Sequence, residues 1–326
     1  MNIGVTGAAG HIGAAVCHTL IQMGHEVTAL VRQDKNAIQH LPVILCQGNI
    51  TEPHTLQDFM ANCEVVIHTA ATIDLGYTFN PKLYDINVMG TENVLRCAKE
   101  AGVKRVIHVS SIHAYNQLPQ YEVLDEGRSF VTAPCVYYDI TKREGHIAAL
   151  KAATQELEVV VVCPTSVIGP PDHKPSKMGK AIIDIYNGAI PAVFKGGFDF
   201  VDVRDVAKGI VSAVKNGENG ESYILSGQYQ SIKALADGVL KVKGSRKQLR
   251  ELPLAVAHLA LPFIKVYASL TKQRPLYDKP YLDILQDGNA HISASKAAQD
   301  LGYSSRPLEE TITDTIHWFK QHGVLK

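Results

Sequence analysis

The amino-acid sequence predicts an α/β protein built on a doubly wound parallel sheet, with a smaller substrate domain interleaved into its C-terminal half. Three observations predict it. Short Val/Ile-rich runs without polar alternation recur ahead of helical patterns, as strands buried on both faces of a parallel sheet do. A glycine-rich turn joins the first run to the first helix. The alternation of strand and helix then breaks after Val162. The 326 residues leave room for about two domains.

The apolar runs fall at 3–6, 27–31, 43–46, 65–68, 106–109 and 159–163. Helical patterns lie between them, at 12–23 ahead of Gly24, at 51–60 with Thr51 as N-cap, and at 91–101 ahead of Gly102. Glycine just past a helix end supplies the left-handed residue that closes it. Residues 163–200 are rich in Pro and Gly; 201–227 return to strand, helix and strand, and the remainder is helical. The expected division is a cofactor domain of 1–165 and 201–227, and a substrate domain of 166–200 and 228–326. The apolar stretch 252–270 is interrupted by Pro253, His258, Pro262 and Lys265. A spanning helix needs about 20 mostly apolar residues, so the stretch reads as an amphipathic helix pair over a pocket rather than a membrane insertion.

Composition narrows the partners. Hydrophobic residues make up 46% and charged residues 20% of the chain, as in ordinary globular proteins. Lys plus Arg and Asp plus Glu both number 32, and without a basic excess nucleic acid is not an expected partner. Cys17, Cys46, Cys63, Cys97, Cys135 and Cys163 form no CxxC pair or zinc spacing. They read as reduced thiols of a cytoplasmic protein, with no metal site. The first strand begins at Asn2, which leaves no room ahead of it for a signal peptide.

The glycine turn reads Thr6-Gly7-Ala8-Ala9-Gly10-His11-Ile12-Gly13. Its first glycine permits the tight turn, the second lets backbone approach a pyrophosphate, and the third lets helix and strand pack closely. The helix that follows offers unpaired N–H groups and partial positive charge to phosphates. At the end of the second strand, an acidic residue would accept the ribose 2′-hydroxyl of NAD(H). Val31 and Arg32 stand there instead, with Lys35 beyond. An arginine pairs with a 2′-phosphate, so NADP(H) is expected rather than NAD(H).

Tyr138 and Lys142 are spaced YxxxK, on one face of a helix. An ammonium beside a phenol lowers the phenol pKa and readies it for proton transfer. Ser110 and Ser111 follow the strand at 106–109, at the carboxyl edge where doubly wound sheets bind ligands. A serine there can hold a carbonyl oxygen.

With these residues in view, the chain resembles the extended short-chain dehydrogenases/reductases, a superfamily of Rossmann-fold enzymes that includes NAD-dependent epimerases and dehydratases. TGAAGHIG at 6–13, GNIT at 48–51, HTAA at 68–71, NVMGTENVL at 87–95, HVSSIHAY at 108–115, CPTSVIGP at 163–170 and FVDVRDVA at 200–207 carry the resemblance in order. It implies Ser111 as catalytic serine, Tyr138 as general acid/base, and Lys142 as the residue that tunes Tyr138 and binds the nicotinamide ribose. It places Asn49 and Ile50 beside the adenine and Ala70, Ala71, Thr72 and Asn87 along the cofactor. Pro164, Thr165 and Val167 fall beside the nicotinamide. Cys163 stands where many relatives have Arg. A homodimer through the helices at 91–101 and 138–151 is a further implication.

Departures from the family's subtypes narrow the chemistry. Ser111-Ile112-His113 lacks the acidic pair of the sugar-nucleotide dehydratases, and Phe198 stands where sugar-nucleotide epimerases carry a diphosphate-binding arginine. Arg204, Arg246 or Arg274 remains available for that role. The chain is most similar to the dihydroflavonol reductase and 3β-hydroxysteroid dehydrogenase branch. Tyr77, Phe79, Tyr115, Met178 and Phe194 suggest an apolar or aromatic substrate, with about half of such side chains expected in the core. The expected reaction is NADPH-dependent reduction of a ketone or aldehyde. A sugar epimerase and a non-catalytic NADP-binding sensor are the alternatives.

Overall fold

The computed structural model describes residues 1–257, 259, 261 and 279–326. Most of the helix pair expected over 252–270, and Arg274, lie outside them. Seven parallel strands form the central sheet in the order β10-β6-β5-β4-β1-β2-β3. They are β1 (Asn2–Thr6), β2 (Glu26–Val31), β3 (Ile44–Gln47), β4 (Val65–His68), β5 (Arg105–Val109), β6 (Glu158–Pro164) and β10 (Ser222–Leu225). The order reverses between β1 and β4, the switch point where such sheets bind nucleotides.

Both faces are covered, which explains the uninterrupted Val/Ile runs. On one face α1 (His11–Gln22) and α7 (Val203–Asn216) pack Val16, Leu20, Val206 and Ile210 against Val5, Ile107 and Val160. On the other, α2 (His54–Met60), α4 (Gly90–Glu100) and α5 (Tyr137–Ala152) cover Val66, Val106 and Val161 with Leu56, Val94 and Ala149. β3 is the exception: it is an edge strand, with Ile44 59% and Leu45 42% exposed.

The remaining elements form a second core. β7 (Ser166–Ile168), β9 (Gly197–Asp202) and β11 (Gln228–Ser231) make a small sheet, and β8 (Ala192–Phe194) pairs with β12 (Arg250–Leu252). α6 (Lys177–Asn187), α8 (Ile232–Val242) and helices Lys279–Asp287 and Leu308–Gln321 pack Ile182, Leu235, Leu282 and Phe319 around them. Val201 and Asp202 thus pair in the small sheet, whereas Ala297, Leu301 and Tyr303 reach back into the α1–α7 core. No helix among the described residues is long and apolar enough to cross a membrane.

Two local expectations change. Thr51 is not an N-cap: α2 starts at His54, behind Pro53, whose ring presets the helical φ. The helix expected at 91–101 begins at Gly90, continuing from α3 (Pro81–Tyr84) through a π-helical turn, Asp85–Met89. Such widened turns often mark functional sites, and Asn87 lies in this one. α5 approaches it closely because residue 145 is glycine: a Cβ there would sit 2.7 Å from the Asn87 carbonyl oxygen.

Candidate active site

The glycine turn is built for close approach. Gly7 has φ +68°, and a Cβ on it would lie 2.7 Å from the Ala70 backbone. A Cβ on Gly13 would lie 2.2 Å from the Gly7 carbonyl oxygen, so α1 can seat on the turn only with glycine there. A Cβ on Gly10 would meet only the Gly7 oxygen, at 3.1 Å. Gly10 therefore opens onto the cradle, where any side chain would fill the space needed by a phosphate. α1 starts at His11 with no side-chain cap on its N-terminal amides, and its first turn includes Ile12. These features fit a dinucleotide pyrophosphate. His11 Nε2 donates to the Gly169 carbonyl at 2.7 Å, tying the cradle to the loop after β7.

The segment after β4 forms the adjoining wall. The Asn87 amide clamps Thr72 twice, accepting from Thr72 N at 2.9 Å and donating to Thr72 O at 3.0 Å. It also donates to Thr141 Oγ1 on α5, at 3.0 Å. Asn87 thus pins the segment at Thr72, while the Ala70 amide donates to Thr6 Oγ1 at 3.4 Å. Pro164 ends β6 and Val167 lies in β7; the Thr165 hydroxyl between them donates to buried Asp199 at 2.6 Å.

At the far end of the cradle, a cavity of about 670 Å³ is lined by Arg32, Asn49, Thr51, Lys82, Asp85 and Asn93, among others. Arg32 lines this cavity just past the end of β2. Lys35 is exposed and does not line the cavity. Lys82, which the sequence reading missed, takes the second basic position from the first turn of α3. The Asn49 side chain is engaged in its own turn, accepting from Thr51 N at 3.3 Å and donating to Glu52 at 3.1 Å. Ile50 is buried, and its carbonyl accepts from Asn93 at 3.0 Å.

The structure brings Ser111, Tyr138 and Lys142 together at the carboxyl edge of β5. Ser111 caps a short 3-10 turn, Ile112–Ala114, accepting from the His113 amide at 3.2 Å. Tyr138 and Lys142 lie one turn apart on α5, both buried. Lys142 Nζ donates to the Val109 carbonyl at 3.0 Å, and burial lowers its pKa to about 8. Burial pushes the Tyr138 hydroxyl above its usual value; a hydrogen bond with Ser111 pulls it partly back, while Asp139 opposes ionisation further. The expected lowering of the phenol by Lys142 is therefore reversed in this arrangement, because desolvation dominates.

Beneath the trio lie buried histidines whose partners local sequence does not reveal, His68 at the end of β4 and His146 on α5. The Thr91 hydroxyl donates to Asn87 O at 2.9 Å. It therefore accepts from His68 Nε2, 3.1 Å away, leaving His68 Nδ1 to accept from Thr6 Oγ1 at 2.7 Å. His146 bridges Ser110 at 3.1 Å and Ser222 at 2.9 Å. Burial, then the Lys142 charge, hold both imidazoles at about 3, so they are neutral. Among the described residues, Lys142 is consequently the one cation in a floor of neutral groups that includes Cys163, whose thiol burial pushes up to about 12.

Toward the cleft, Tyr138 packs with Leu83 and Val136, and Leu75, Tyr137 and Ile284 adjoin them. Phe79 is 64% exposed and meets Tyr137 edge-on. Tyr77 bonds Asp283. Tyr115 is core, between Phe130 and His146, and Phe194 and Met178 belong to the second core. Arg204 is engaged by Asp202 and Asp314, each at 2.7 Å, and Phe198 packs on Phe200 and Tyr281. His113 is paired with Asp139 at 2.9 Å.

A glycine cradle at the switch point, with Ser, Tyr and Lys across from it, defines a nucleotide-dependent enzyme of oxidoreductase type. The model of the NAD dependent epimerase/dehydratase family matches residues 3–226, and the chain belongs to that family, the extended short-chain dehydrogenases/reductases. It is 31% identical over 335 residues to a putative dihydroflavonol 4-reductase of Synechocystis sp., covering 99% of this chain and 95% of that one. It is 28% identical to sterol demethylase protein B of Methylococcus capsulatus, over 98% and 99% of the two chains. Among solved structures, gox2253 superposes with TM-score 0.85 at 30% identity, covering 99% of each chain. UDP-glucose 4-epimerase of Thermotoga maritima, at 20% identity and TM-score 0.78, covers 99% of each chain and shares the fold.

Proposed function

We propose that this enzyme is an NADP(H)-dependent reductase of a ketone or aldehyde on an apolar or aromatic small molecule. Gly7, Gly10, Gly13 and the α1 amides would hold the pyrophosphate, with Arg32 and Lys82 at the 2′-phosphate. When bound, the cofactor supplies the hydride. Ser111 Oγ and Tyr138 Oη hold the substrate carbonyl oxygen, and Tyr138 gives its proton to that oxygen as negative charge develops. Lys142, one turn along the same helix face, supplies the positive charge that stabilises the phenolate left behind. The hydrophobic contacts of Leu75, Val136 and Ile284 around Tyr138 exclude water from this exchange.

The observation that carries the choice of reductase over sugar epimerase is the state of the substrate side. Phe198 is packed among aromatic rings and Arg204 is engaged by two carboxylates, so neither offers a diphosphate grip. A full-length relative bearing a reductase name points the same way. The test is stoichiometry: NADPH consumed with a panel of aryl ketones, aldehydes and flavanones should equal alcohol formed. An epimerase would return its sugar product with no net consumption.

A further inference from the structure

His113 stands in an arrangement that the reductase chemistry does not use. The 3-10 turn capped by Ser111 carries it over the ring of Tyr138, edge to face, with ring centroids 5.6 Å apart. Its Nδ1 lies 2.9 Å from Asp139 Oδ1. Asp139 directly follows Tyr138 in the first turn of α5, so one helical turn fixes both the proton donor and the orientation of the imidazole. The Asp139 side chain is only 12% exposed, but that of His113 is 29% exposed. The carboxylate is therefore the more buried partner and the imidazole the more accessible one. No described residue is hydrogen-bonded to Nε2, although every nitrogen of His68 and His146 is bonded.

Charge supports the geometry. Burial and the positive charges of Lys177 and Lys142 disfavour a charged His113, yet the charge and hydrogen bond of Asp139 outweigh them and raise its pKa. Lys177 is the first residue of α6. Protonated, His113 presents an oriented Nε2–H beside the Ser111 and Tyr138 hydroxyls; neutral, with its Nδ1 proton held by Asp139, Nε2 could only accept.

We propose that His113 Nε2, oriented by Asp139, binds a second oxygen of the substrate, a carboxylate a few bonds from the reacting carbonyl. The substrate class is then a β-keto acid on an apolar body rather than a simple ketone. This rests on the reductase reading, and binding separates the two. The probes are benzoylacetate and its ethyl ester for turnover, and the corresponding hydroxy acid and hydroxy ester for calorimetric titration of the NADP+-loaded enzyme.

The wild type should bind the acid about tenfold more tightly than the ester, the worth of one charge-assisted hydrogen bond. H113Q and D139N should bring that ratio close to one, the acid losing far more than the ester. The wild-type preference should also decline as pH rises through the His113 titration, a readout that survives if the variants fail to fold. A wild-type ratio near one, or equal losses for acid and ester in H113Q, would overturn the proposal and leave His113 a structural clasp. Acid preference without turnover of either ketone would sink the reductase reading but not this one; ester turnover without acid preference would do the reverse.

Discussion

The glycine cradle and the second core of this enzyme are held by different kinds of contact. On the cofactor side the decisive neighbours are backbone atoms: Gly13 seats on the Gly7 carbonyl, Gly7 on Ala70, and the Asn87 amide grips both polar atoms of the Thr72 peptide. In the second core they are side chains, with Leu235, Val239, Ile312 and Phe319 filling it. Gly238 illustrates the contrast, since its nearest neighbour is the Ile312 Cδ1 tip. Backbone cannot repack, whereas side chains can. The glycine cradle is therefore built from parts that tolerate little change, and the second core from parts that tolerate more.

The largest effect should come from the proton donor. Y138F should reduce kcat/KM for carbonyl reduction by about 100-fold or more, the usual worth of a positioned acid; a change of a few fold would remove Tyr138 from the chemistry. Next are paired glycine substitutions. G13A should cost roughly 3 kcal/mol or more in urea unfolding, because backbone must move, and G238A no more than about 1 kcal/mol. Similar losses at both sites would erase the contrast.

Acid should weaken the cofactor side through its neutral histidines. The folded pKa values of His68 and His146, about 3, lie below the ordinary 6.5. Between those limits the unfolded chain binds more protons, so stability falls as pH drops below about 6.5. At pH 5 the loss is roughly 2 kcal/mol for each histidine. H146Q should flatten the urea midpoint against pH between 7 and about 5; an unchanged slope would mean His146 is not the group titrating. The smallest effect is at the cavity rim: R32A should weaken NADPH about tenfold and K82A less, with NADH barely altered. Equal losses for both cofactors would remove the 2′-phosphate from the account.

What was legible in the sequence follows the same division. The glycine turn and the Tyr138–Lys142 spacing are local, governed by one turn and one helical period, and both are where the sequence placed them. Gly24 and Gly102 take φ +78° and +73° past their helices, as closing glycines do. Where local cues compete, the reading slipped: Pro53 starts α2 and displaces Thr51 as the cap. Contacts made only by tertiary packing were invisible. Lys82 and Arg32 are far apart in sequence, His113 meets Asp139 across 26 residues, and Tyr115 looked like a pocket aromatic although it packs under His146. The Tyr138 pKa went the other way for the same reason, since spacing reveals a nearby lysine but not the depth of burial.

The central claim is hydride transfer to a carbonyl with Tyr138 as proton donor. The most direct measurement uses NADPH deuterated at the transferable position, an aryl ketone accepted in the panel, and mass spectrometry of the product. The account predicts an alcohol carrying the deuterium on the former carbonyl carbon, formed by the wild type and nearly absent with Y138F. Tight NADPH binding with no deuterated alcohol from any ketone or aldehyde, alongside interconversion of a nucleotide sugar and its epimer, would contradict it.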